Sequence, residues 1–133
     1  MNTNIEYGSE QFSDMIGKVF TSVVATEDTL TFENDDEKYV FYHEQDCCES
    51  VVIKDIVGDL KDLQDTPILF AEMTWKAAFE EHSDSYTWSF YKFRTIRGDV
   101  TVAWQGESNG YYSESVYRSY VDKKAQGDQD GTR

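Results

Sequence analysis

The chain has 133 residues, enough for one domain with a real core rather than two. Its composition, 39% apolar and 15% aromatic, is that of a folded protein, and no window approaches the roughly eighteen consecutive apolar residues of a membrane span. Twelve basic against 26 acidic residues leave a net charge of −14, which repels phosphate backbones and argues against direct nucleic-acid binding.

The opening MNTNIEYGSEQF lacks a basic region followed by an apolar run, so no signal peptide is expected. The expected compartment is the cytosol, where thiols stay reduced. SEQFSDMIG (9–17) predicts one short helix: Ser9 can cap it, Phe12, Met15 and Ile16 share a face, and Gly17 can end it. From there the dominant period is two. KVFTSVVA (18–25), TLTFEN (29–34), EKYVFYHE (37–44) and ESVVIKDI (49–56) read as strands, with NDDE as an acidic turn.

GDLKDLQDTP (58–67) breaks the alternation, and the spacing of Leu60 and Leu63 suits a single helical or 3-10 turn before Pro67. PILFAEMTW (67–75) fits strand or helix, with strand favoured, and KAAFEEHSDS (76–85) reads as a mobile polar loop. YTWSFYKFRTI (86–96), DVTVAWQG (99–106) and ESVYRSYV (114–121) are clear strands. The first two form a hairpin across Arg97-Gly98-Asp99. SNGYYS (108–113) holds an Asn-Gly turn, and DKKAQGDQDGTR (122–133) has no large apolar residue and is expected to be disordered. The resulting expectation is a mainly β (α+β) domain over 1–121. It is a curled antiparallel sheet or small sandwich of about seven strands, with one short N-terminal helix.

The charge is uneven along the chain. Residues 1–65 hold 16 acids and four bases, a net of −12, and residues 66–133 a net of −2. Such a half favours a basic partner or a cation, although a purely solubilising surface has the same composition.

HEQDCCE (43–49) concentrates the chemistry-bearing residues. His43, Cys47, Cys48 and Glu49 are the candidate ligands of a metal site here, and a hard cation on Asp35, Asp36 and Glu37, or on Asp46 and Glu49, is no better supported, because no calcium-loop spacing with its glycine is present. Adjacent cysteines on a strand point to opposite faces, and no second knuckle follows, so a closed zinc site is not expected. An adjacent-cysteine bridge is strained, so two thiols are expected, one of them buried as a small hydrophobe. Cys47 with His43 lacks the glycine-rich or elbow context of a nucleophile, and no phosphate-cradling glycine loop occurs. No cofactor and no enzymatic activity are expected. Among the aromatics, Trp88, Phe90 and Trp104 read as core, whereas Tyr111 and Tyr112 follow a turn and at least one should be exposed.

YVFYHEQDCCESVVIKDIVGDL and SYTWSFYKFRTIRGDVTVAWQGESNGYYSESV (roughly 39–60 and 85–116) resemble a family of small bacteriophage and bacterial proteins that carries no assigned activity. The resemblance implies a phage-associated accessory protein. Small acidic proteins of that kind resemble inhibitors of host enzymes, including anti-CRISPR proteins that mimic DNA charge. The expected function is therefore a non-enzymatic inhibitor, acting in the host cytoplasm, of a basic nucleic-acid-handling protein such as a CRISPR effector or another nuclease. No membrane contact is expected, and a homodimer is an open option. Asp35, Asp36, Glu37, Glu44, Asp46, Glu49, Glu107, Tyr111, Tyr112 and Glu114 are the expected partner-facing residues. The alternative is a small-ligand or metal binder built on HEQDCCE.

Overall fold

Strict alternation in TLTFE and EKYVFY buries Leu30, Phe32, Tyr39 and Phe41 on one side of a sheet, each at most 1% exposed. The computed structural model describes residues 3–80, 85–108 and 114–123, and they form nine strands. These are β1 (Thr3–Gln11), β2 (Ser22–Ala25), β3 (Thr29–Glu33), β4 (Glu37–Tyr42) and β5 (Ser50–Val57), then β6 (Phe70–Glu80), β7 (Ser85–Thr95), β8 (Gly98–Ser108) and β9 (Tyr117–Asp122). Two antiparallel sheets result, one ordered β1-β6-β7-β8-β5 and the other β2-β3-β4-β9.

The sheets pack face to face over one core. Phe32 and Phe41 from one sheet meet Tyr91 and Phe93 from the other, with ring centroids 4.7 to 6.0 Å apart. Trp104, Val100 and Val102 extend this core along β8. A 3-10 turn at Leu60–Leu63, capped where the Lys61 N–H donates to Asp59 Oδ1 at 3.0 Å, buries Leu63 beneath the sandwich, as the break at 58–67 predicts.

The expected N-terminal helix does not form, and no α-helical element occurs among the described residues. Residues 3–11 instead pair along β6 as an edge strand, where inter-strand hydrogen bonds outweigh a weak local helix signal. Gly8 permits this, because a Cβ there would lie 2.2 Å from Trp75 Nε1. Only Ser13–Met15 makes a single 3-10 turn, which buries Phe12 and Met15 and leaves Ile16 43% exposed.

The loop expected at 76–85 is likewise overturned over 76–80. β6 runs on to Glu80 because β1 and β7 bond it on both sides; 81–84 lie outside the described residues. Trp88 and Phe90 alternate with buried Ser89 and Tyr91, so they lie half-buried on the outer face and not in the core. Their rings stack 6.1 Å apart. The expected tail loses its first two residues to the fold: Asp122 ends β9, and the Lys123 N–H donates to Asp36 O at 2.9 Å. Residues 124–133 lie outside the described residues. No helix among the described residues is long and apolar enough to cross a membrane.

Candidate functional site: an acidic end of the sandwich

Antiparallel pairing gathers distant segments at one end of the sandwich. Thr29 pairs with Tyr42, Tyr42 with Tyr117, and Ser50 with Glu107. The β2–β3 turn joins them, since Glu27 O accepts the Ile53 N–H at 2.8 Å. This end presents exposed Glu27, Asp28, Glu44, Asp46 and Glu107. The described residues of its loops include no lysine or arginine. Elsewhere four acids are paired with bases. Glu37 contacts Lys18, Asp99 lies 3.1 Å from Arg94, Asp14 lies 2.8 Å from Arg118, and Glu33 lies 2.5 Å from Lys123. The Arg118 guanidinium holds the Asp14 carboxyl below its ordinary range.

The expected partner-facing residues therefore divide. Glu44, Asp46 and Glu107 are exposed at the acidic end. Asp35 and Asp36 are exposed too, but at the other end of β4, about 20 Å away at roughly 3.3 Å per residue. There the Asn34 side chain accepts their turn's N–H groups, from Asp36 and Glu37, both at 2.8 Å. Glu37 is half-buried between Lys18 and the Tyr120 hydroxyl, which donates to it at 2.9 Å. Tyr111 and Tyr112 lie outside the described residues.

Glu49 and Glu114 are not surface residues. The Glu49 side chain is fully enclosed, because residues 43–49 wrap around it. Its carboxylate accepts the N–H groups of Asp46 at 2.8 Å and Cys47 at 3.0 Å, and His43 Nε2 lies 2.7 Å from Oε2. Burial raises its carboxyl pKa, but the Cys47 N–H, the His43 ring and the Asp46 N–H outweigh burial and hold it at about 2. His43 Nδ1 lies 2.7 Å from Ser115 O, an atom that can only accept. Both ring nitrogens thus face oxygen atoms. Gln45 closes the wrap by donating to Glu49 O at 2.8 Å.

Among the described residues, the donors to the Glu114 carboxylate are hydroxyls of the five-stranded sheet. Ser108 donates at 2.6 Å and Thr87 at 2.8 Å, with Ser85 as the third donor. Gly106 makes room for it: a Cβ there would lie 2.8 Å from Glu114 Cβ and 3.0 Å from Glu114 O. Gly106→Ala is therefore expected to cost about 1–3 kcal/mol by overpacking, read from urea unfolding. A neutral result would mean that Glu114 does not close on β8.

The cysteines depart from the expectation of two thiols. Their sulfurs are bonded at 2.09 Å, and both residues are exposed. The strand argument fails here because 43–49 curls around Glu49 and does not extend, so adjacent side chains no longer point to opposite faces. Among the described residues, no group of three or more His, Cys, Asp or Glu side chains converges as a metal-ligand set. A depression of about 270 Å³ lies beside the loop, lined by Glu44, Gln45, Asp46, Glu49 and Tyr117.

The family described as a domain of unknown function, DUF7448, matches residues 13–118. The chain belongs to this family. The match takes in the 43–49 wrap, Glu114 with its hydroxyl donors, and every exposed carboxylate of the acidic end named above. No curated protein and no solved structure matches the chain. Glu27 and Asp28 are the members of the acidic end that sequence reasoning overlooks. Their only local signal is the short polar stretch between two strands, in which Thr26 Oγ1 accepts the Thr29 N–H at 3.0 Å.

Proposed function

We propose that the chain is a non-enzymatic acidic binding protein that inhibits a basic, nucleic-acid-handling host defence protein, with a CRISPR effector or another nuclease as the leading partner. One observation carries the reading: exposed Glu27, Asp28, Glu44, Asp46 and Glu107 share one end whose described loop residues include no lysine or arginine. Carboxylates spaced across strand tips suit a surface built to receive phosphates, and such a field speeds association with a basic channel. The buried Glu49 contributes by fixing the loop that displays Glu44 and Asp46.

The test reverses charge at Glu44, Asp46 and Glu107 together. These side chains are exposed, so stability should stay within about 0.5 kcal/mol per site. Binding to a purified basic nuclease should fall at least about tenfold at low salt, and its salt dependence should flatten. Reversing Asp35 and Asp36, at the far end of β4, should leave binding unchanged. Equal inhibition by wild type and the triple variant would sink the proposal. The depression beside the loop supports a second reading, a small cationic ligand held between Glu44, Asp46 and the Tyr117 ring. Native mass measurement of the purified chain separates the two, since only the second predicts a bound small molecule.

A further inference from the structure

We propose that the Cys47–Cys48 bridge is a thiol-exchange site selective for cationic thiols. Three observations meet there, and none depends on the inhibitor reading. Cys47 and Cys48 are both exposed, so the bridge lies at the protein surface. Glu44 and Asp46 flank it, exposed, at the end of the sandwich that also carries Glu27 and Asp28. The backbone on its inner side is anchored, with the Cys47 N–H on Glu49 and Cys47 O accepting from Gln45 Nε2 at 3.3 Å. The loop therefore holds an exposed bridge among negatively charged side chains.

In the exchange step an incoming thiolate attacks one sulfur of the bridge. The new sulfur–sulfur bond forms as the Cys47–Cys48 bond breaks, and the departing sulfur takes the electron pair and then a proton. The product is a mixed disulfide on one cysteine and a thiol on the other. A second equivalent of the same thiol displaces the first, leaving two protein thiols and one small-molecule disulfide. The attacking species is an anion, so surrounding carboxylates slow every thiol. A thiol that carries a separate ammonium group offsets that repulsion, and one that carries a carboxylate adds to it.

The experiment compares cysteamine, 2-mercaptoethanol and 3-mercaptopropionate on the folded full chain, with rates normalised to thiolate concentration and products read by intact mass after acid quench. At low ionic strength cysteamine should react at least about tenfold faster than 3-mercaptopropionate, with 2-mercaptoethanol between them. High salt should collapse the order, because the charges are exposed. Glu44→Gln with Asp46→Asn should narrow the gap without disturbing the fold, since neither carboxylate holds the loop. Equal rates for the three thiols at low salt would overturn the proposal. So would two free thiols titrating in the folded, unreduced protein, or exchange that begins only after unfolding.

Discussion

Phe41→Ala is expected to lower the free energy of unfolding by about 3–5 kcal/mol, a large share of the roughly 5–15 kcal/mol that holds a domain of this kind together. Phe41 is fully buried on β4 and touches four rings: Phe12 at 5.4 Å, Tyr91 at 5.1 Å, and Phe32 and Phe93 at 6.0 Å each between centroids. These rings come from both sheets and from the segment leading into the first 3-10 turn. Alanine would open a cavity that no single neighbour can fill, because each ring is itself fixed by others. Phe41→Leu keeps most of the volume and should cost about 1–2 kcal/mol. Guanidinium unfolding at constant slope measures both. A loss below about 1 kcal/mol for the alanine variant would mean that the two sheets do not meet at Phe41.

The strands whose alternation is complete were readable directly. Leu30 and Phe32, then Tyr39 and Phe41, fall on one face by period alone. On β7 both faces carry aromatics, so period alone does not choose between Trp88 with Phe90 and Tyr91 with Phe93, and the packing of the second sheet buries the latter pair. The turn after β7 was readable too, because Arg97-Gly98 follows an uninterrupted apolar period. What could not be read depends on partners distant in sequence. β1 has little pattern of its own and exists through its bonds to β6, roughly seventy residues on by the register of Gln11 with Glu72 and Thr3 with Glu80. β5 pairs with β8, not with either neighbour in the chain.

The site shows the same division. An exposed carboxylate and a buried one look identical in sequence. Glu44 and Glu49 differ only in what surrounds them: Glu49 meets two backbone N–H groups and an imidazole, while Glu44 meets water. Glu114 depends on Ser85, Thr87 and Ser108, which reach it from β7 and β8. The bridge between Cys47 and Cys48 was missed for a related reason. The period-two argument that separates adjacent side chains holds on a strand, and the loop that wraps Glu49 is not one.

Glu49→Ala is expected to release the whole 43–49 wrap, and the effect should depend on pH. Alanine removes the acceptor for the Asp46 and Cys47 N–H groups and leaves the enclosed His43 ring facing no carboxylate. Amide exchange at Asp46 and Cys47 should rise steeply, while Phe32 and Phe93 in the core stay protected. His43 also reaches Ser115 O, so the segment entering β9 should loosen with it. The native carboxyl sits at about 2 against an ordinary value of 4.5, so the folded state favours the ionised form. The stability that Glu49 contributes is therefore fully present above 4.5 and is lost as pH falls through 4.5 toward 2. The gap in stability between wild type and Glu49→Gln, followed by thermal unfolding across that window, should shrink as the pH drops. A gap that stays constant down to pH 2 would mean that Glu49 titrates alike in the folded and unfolded chains, and that the wrap is not built on its charge.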